Sequence, residues 1–355
     1  MTKALTPGTG ANLQANSSVS KLPQDTAMLA AAPRDYWPML LIPALLLLSL
    51  PLIGSPSGWL SLSVAGLAMG MMIFIMASGL TLTFGLMDVL NFGHGAFIAV
   101  GAYSASIVLL RLEGWLQAEQ FMLNALALLA ALAFAMLVTA LAGWLFERVL
   151  IMPVYGQHLK QILITMGGMI VVEQLVQAIW GAEQIAISMP ASLRGAFFIG
   201  DAAIEKFRLV AVVLGLLVFA LMYWTLQRTR LGLLIRAGVE NREMVEALGY
   251  KVRRLFVLVF AAGSALAGLG GVLWGLYKET LHASMGGDIM VMVFIVIIIG
   301  GLGSVSGCFI AALLLALVNN YAGFLLPKFA LIANIALMFV ILLWRPMGLY
   351  ATARR

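Results

Sequence analysis

The sequence predicts an all-α fold, a polytopic bundle of transmembrane helices, on three observations. Hydrophobic residues make up 63% of the 355-residue chain. Charged residues make up only 10%, where a soluble domain carries about 25%. The apolar residues also come in runs of bilayer length, and mean hydropathy reaches +1.03. By length alone a soluble chain would divide into about two or three domains, a prior that this composition sets aside.

The elements follow in order. Residues 1–35 are rich in Ala, Ser, Thr, Gln and Asn. No apolar run precedes Trp37, so this is not an ordinary secretory signal, and it reads as a disordered cytoplasmic tail. Residues 36–350 form the transmembrane domain, and 351–355 a short C-terminal tail. A helix crosses a bilayer in about 20 residues, fewer where it is broken or buried in protein. Ten segments qualify, near 37–53, 61–85, 95–110, 121–145, 161–180, 209–226, 255–277, 289–301, 304–320 and 329–344. The second and third meet at Gly85–Gly95, the eighth and ninth at Gly300–Ser304. Merging or splitting those pairs gives eight to eleven spans.

Ten spans place both termini on one side. That side carries Lys3, Lys21, Arg34, Arg148, Lys160, seven cations within 227–254, Arg345, Arg354 and Arg355. The other carries Arg111, Arg194, Lys206, Arg208, Lys278 and Lys328. Lys and Arg collect on the cytoplasmic side, so the termini are assigned there. The same rule explains the net charge of +6, which gives no reason to expect a nucleic-acid partner. The longest external segment, 181–208, reads as a solvated loop. A short internal similarity links Gly95-Ala96-Phe97-Ile98-Ala99 to Gly307-Cys308-Phe309-Ile310-Ala311. Both run from inside to outside in this topology, the arrangement of parallel repeats about an axis along the membrane normal.

Polar residues within apolar runs are the candidates for chemistry, because they are costly in lipid unless they pair or face water. The stretch from Gly85 to Gly95 breaks a span and carries Asp88, Asn91, Gly93, His94 and Gly95. Two readings stand: a helix break beside the solute path, or a turn with His94 as a structural hydrogen-bonder. Glu173 lies inside the fifth segment, four residues from Gln177 and so on one helix face with it. It serves either transport or packing. The run Gly300–Gly307, with Gly301, Gly303 and Gly307, lacks the Gly-Lys-Ser/Thr ending that grips phosphate. Close helix approach or a helix break suits it better. No G-x-x-x-x-G-K-[ST] occurs in the chain. His94, His158 and His282 stand in separate regions with no metal-ligand spacing, and Cys308 stands alone in an apolar run. No catalytic constellation, metal or cofactor is expected, and the chain is read as a non-enzyme.

The most informative stretch is Gln227–Arg254, the one long charged loop between apolar segments. Within it Val239–Leu248 predicts a short amphipathic helix, acidic at its start and stopped by Gly249. Ten residues make a marginal helix in water, so it needs a partner. Glu240, Glu243 and Glu246 against Arg242 favour a protein over a lipid surface, which would select Lys and Arg.

Three stretches carry a resemblance: residues 79–103 (GLTLTFGLMDVLNFGHGAFIAVGAY), 146–167 (FERVLIMPVYGQHLKQILITMG) and 228–252 (RTRLGLLIRAGVENREMVEALGYKV), the last followed by IIIGGLGSVSG at 297–307. With these the chain resembles the LivH-type permeases, membrane subunits of bacterial ABC importers of the branched-chain amino acid type, over about residues 55–350. The resemblance implies a coupling helix that seats in a groove of an ATPase subunit. The matching positions are Arg236, Glu240, Asn241, Arg242, Glu243, Val245, Glu246, Ala247, Leu248, Gly249 and Tyr250. It implies a second, LivM-like permease subunit, two ATPase subunits that hydrolyse the ATP, a periplasmic solute-binding protein and membrane lipid as partners. It implies the bacterial inner membrane as the location. Hydrophobic amino acids are the leading solute, urea or short amides the next. An ion-driven secondary transporter using Glu173 and Asp88 is the alternative. Two departures stand out: the polar N-terminal tail is longer than usual, and Glu246-Ala247-Leu248-Gly249 compresses the E-A-A-x-x-x-G coupling pattern.

Overall fold

A computed structural model describes residues 37–87, 89–240 and 242–350. The chain there is a helical bundle. Its helices are α1 (Trp37–Ile53), α2 (Pro56–Met87), α3 (His94–Arg111), α4 (Glu113–Gln117), α5 (Phe121–Phe146), α6 (His158–Trp180), α7 (Lys206–Arg228), α8 (Arg230–Glu240), α9 (Arg242–Ala247), α10 (Val252–Lys278), α11 (Met285–Gly300), α12 (Val305–Leu325) and α13 (Ala330–Trp344). Among the described residues seven helices are long and apolar enough to cross a membrane: α2, α3, α5 with its continuation, α6, α7, α10 and α12. The other three predicted segments form the shorter apolar helices α1, α11 and α13.

The centre is α2. Its run Met72–Ala77 is fully buried, and a helix apolar all round belongs inside a bundle. It packs against α12, α10 and α7, while α10 packs in turn on α5 and α3. Small residues permit these approaches. A Cβ on Gly271 would fall on the Ile98 carbonyl, one on Gly79 on the Gly263 carbonyl, and one on Gly101 on Gly268. By contrast α6 and α7 keep most of their apolar surface outward, as lipid-facing helices do.

The bundle has two distinct ends. At one, Tyr155 Oη donates to the Met87 carbonyl at 3.1 Å, Gly303 abuts Gly85, and Leu349 N–H donates to the Ile299 carbonyl at 2.8 Å. The loop between α7 and α10 lies here with its cations, so this is the basic end. At the other end the 181–208 segment is more ordered than a solvated loop. Strands β2 (Ala196–Ile199) and β3 (Ala202–Glu205) form an antiparallel hairpin. Strand β1 (Ile185–Ala186) pairs antiparallel with β4 (Thr280–Leu281), Ile185 opposite Leu281. Buried Asn124 laces this end together: Nδ2 donates to the carbonyls of Trp115 at 2.9 Å and Ala118 at 2.8 Å, and Oδ1 accepts the Ser192 N–H at 2.8 Å. Asn124→Leu is expected to cost roughly 2–4 kcal/mol, because it orphans an N–H and two carbonyls. Thermal unfolding in detergent checks this, and an unshifted transition refutes it.

The similar pentapeptides at 95–99 and 307–311 each begin in the first turn of a helix, α3 and α12, after a non-helical break.

Candidate functional site

The break between α2 and α3 is a re-entrant segment. A carbonyl can only accept, so His94 Nε2–H donates to the Met76 oxygen at 2.9 Å. Met76 stands about three turns back from the end of α2. Helix α3 therefore starts well inside the bundle, and residues 89–93 climb back into it. Non-helical backbone survives at membrane depth when protein buries it, and here Val89, Asn91 and His94 are all fully buried. The Phe92 N–H donates to Thr165 Oγ1 on α6 at 3.2 Å. The Phe92 ring lies 4.7 Å from that of Phe294 on α11. Gly93 fits between Phe146 and the Thr165 carbonyl, where a side chain would collide. Gly95 meets Gly286, near the start of α11, backbone to backbone.

That segment holds polar atoms with nothing to bond. With Nε2 protonated, the neutral His94 ring offers Nδ1 as an acceptor. His94 Nδ1, both side-chain polar atoms of Asn91, and Gln161 Oε1 on α6 are buried without a hydrogen-bond partner. Gln161 stands one turn before Thr165 and is itself buried.

A connector joins this break to the basic end. Helix α5 ends at Phe146, whose ring stacks 6.3 Å from Phe260 and meets Phe97 edge-on at 5.3 Å. There α5 gives way to a π-helical turn, Glu147–Ile151, a form found frequently at functional sites. Glu147 is buried, and the cations acting on it are Arg253, in the first turn of α10, and Arg148. Beyond the turn, Tyr155 holds the end of α2 and lies 6.1 Å from Phe256 of α10.

The charged loop is helical over its described residues, α8 from Arg230 to Glu240 and α9 from Arg242 on, so the predicted helix over 239–248 starts earlier than its pattern indicated. The earlier start follows from packing: α8 lies against α2 and α7, with Ile235 buried, and α9 lies against α10, with Val245 buried. The predicted glycine stop holds. Gly249 has φ +87°. Its N–H donates to the Glu246 carbonyl at 2.9 Å, and Tyr250 N–H to the Val245 carbonyl at 3.3 Å. This is the paired closure of a Schellman motif. Met244, Leu248 and Tyr250 remain 53%, 69% and 52% exposed at the basic end.

The predicted site residues thus fall into separate places. Asn91, Gly93, His94 and Gly95 lie together inside the bundle. Gly301 and Gly303, with φ of +94° and +83°, turn the chain between α11 and α12 at the basic end. Gly307 there receives the Ser304 Oγ as its N–H acceptor at 3.1 Å and fits against the Gly300 carbonyl. Glu173 is half-buried on α6, whose surface is mostly outward, and it does not join the break. Ala247 is exposed beside Glu246 on α9. Asp88 and Asn241, with the side chains of Arg236, Glu240, Arg242 and Glu243, lie outside the described residues. Sequence reasoning passed over Gln161, Glu147 and Tyr155. The Gln161–Thr165 spacing and the Glu-Arg pair closing an apolar run were the available signals. Among the described residues no group of three His, Cys, Asp or Glu is placed to hold a metal.

Long apolar helices packed around the buried α2 define a multi-pass membrane protein. Residues 62–343 match the family described as branched-chain amino acid transport system / permease component, and the chain belongs to that family. It is 29% identical over 296 residues to the high-affinity branched-chain amino acid transport system permease protein BraD of Pseudomonas aeruginosa, covering 81% of this chain and 94% of the relative. It is 25% identical over 297 residues to the permease protein LivH of Escherichia coli K12, covering 80% and 92%. A probable permease protein LivM of Methanocaldococcus jannaschii is 25% identical over 272 residues, covering 69% and 77%. No solved structure matches.

Proposed function

We propose that this chain is the membrane-spanning permease subunit of an ABC importer that moves branched-chain and other hydrophobic amino acids across the bacterial inner membrane. The observation that carries the coupling half of this reading is α9. It is an acidic helix with a firm glycine stop, buried at Val245 and exposing Met244 and Leu248, one turn apart. Such an amphipathic element at a helix-bundle end suits a groove on a protein partner. Two ATPase subunits are the partners it fits, and ATP is theirs to hydrolyse. Residues Arg236–Tyr250 form the contact, and rigid-body transmission through α8 and α10 carries the movement inward. The re-entrant segment 89–95 borders the solute path, with Gly301, Gly303 and Gly307 shaping its basic-end mouth. A LivM-like second permease and a periplasmic binding protein complete the assembly. Ten spans with both termini cytoplasmic fit the cation distribution, and the two pentapeptides fit parallel repeats. The relatives' names support amino acids over urea or short amides, and over ion-driven transport.

The test is reconstitution with the ATPase subunits, the second permease and the binding protein. Glu243→Lys with Glu246→Lys is expected to leave membrane insertion intact while ATPase copurification and leucine uptake are lost. Uptake that survives this change sinks the coupling role.

A further inference from the structure

We infer that Asn91, His94 and Gln161 form an uncharged hydrogen-bonding site for the zwitterionic head group of the transported amino acid. The inference rests on the importer reading above and goes further, to the atoms that meet the solute.

Three side-chain atoms of the re-entrant segment, His94 Nδ1 and Asn91 Oδ1 and Nδ2, are buried and unbonded, as is Gln161 Oε1 on α6, one turn before the Thr165 that accepts the Phe92 N–H. Buried polar atoms are nearly always bonded, and each exception asks for a reason. The cost is higher inside a membrane, where polar side chains mark substrate paths. A structural role accounts for one of the His94 nitrogens, through Met76. It leaves the other three groups unexplained.

The unused capacity has a definite pattern of three acceptors and one amide donor group. An α-ammonium brings three donors, and an α-carboxylate brings acceptors. The site supplies partners for both without a fixed charge of its own, which suits a ligand with no net charge. Helix direction adds to this. Helix α3 begins at this segment, and α11 begins beside it, Gly95 against Gly286. Two helix N-termini thus converge inside the bundle, and their partial positive charge favours the carboxylate. The surroundings suit an aliphatic side chain. Phe294 lies against Phe92, and Met169 reaches both Gly95 and Gly287, a flexible thioether that adapts to varied apolar shapes.

The experiment measures radiolabelled leucine moved per ATP hydrolysed by the complete importer in liposomes. Asn91→Leu keeps the volume and removes the donor and acceptor. His94→Leu removes the ring, whereas His94→Gln keeps one N–H for the Met76 carbonyl and one free acceptor. The coupling ratio is expected to fall about tenfold or more in Asn91→Leu and His94→Leu, in line with the loss of a hydrogen bond to a charged group, and His94→Gln is expected to recover most of it. A ratio unchanged in Asn91→Leu and His94→Leu overturns the inference, including the case where uptake and hydrolysis fall in parallel. Failure of both leucine variants to insert also overturns it, in favour of a purely structural role. An unaltered importer that hydrolyses ATP and moves no leucine overturns the function reading itself, and this inference with it.

Discussion

Gly271→Val is expected to abolish the folded bundle. The site is the crossing of α10 over α3, where a Cβ on Gly271 would overlap the Ile98 carbonyl. The obstacle is backbone, so no rotamer change relieves it. Overpacking a well-filled core costs about 1–3 kcal/mol, occasionally more. A branched side chain against a carbonyl belongs at or beyond the top of that range. The comparison is Gly167→Val on α6, where a Cβ meets nothing within 4 Å. Monodisperse protein recovered from membranes should vanish for Gly271→Val and persist for Gly167→Val. If Gly271→Val is recovered with a melting temperature within about 3 °C of the parent, the close approach is not what holds these helices.

Met244→Asp with Leu248→Asp is expected to release the ATPase subunits and stop uptake, with the permease still folded. Both residues are more than half exposed, so the substitutions take no apolar side chain out of the core. Apolar anchors at the centre of an interface are worth about 2–4 kcal/mol each, a loss of about 30- to 1000-fold in affinity for one anchor. Val245→Asp serves as the contrasting variant. It puts a charge on the buried side of α9 and should destabilise the loop itself, read as proteolytic cleavage between α8 and α10. Pulldown of the ATPase by the Met244/Leu248 variant at wild-type yield would show that α9 faces something else.

The membrane class and the positions of the apolar helices were legible because lipid demands runs of a fixed length, and composition reports that demand directly. The glycine stop at 249 was legible for a similar reason, since a positive φ leaves few residue choices. The start of α8 was not. Packing of Ile235 against the bundle extends that helix, and a charged loop read by periodicity gives no hint of what it lies on. Within the break, Gly93 and His94 stood out by residue type. The height of the break did not, because it depends on one hydrogen bond, from His94 to Met76, between residues on either side of the turn. Gln161 lies far from the break in sequence, and its helix α6 is brought to it by packing, through the Phe92–Thr165 hydrogen bond.

The β1–β4 ladder has a consequence for how this chain is held together. It fastens Ile185-Ala186 to Thr280-Leu281, with the Ile187 N–H adding a bond to the Glu279 carbonyl at 3.0 Å. Everything between, from the hairpin through α7, α8, α9 and α10, is thereby a closed loop tied off at one end. The tie sits opposite α9. The loop's two long helices, α7 and α10, both pack on α2, so the ladder closes a loop that holds the central helix.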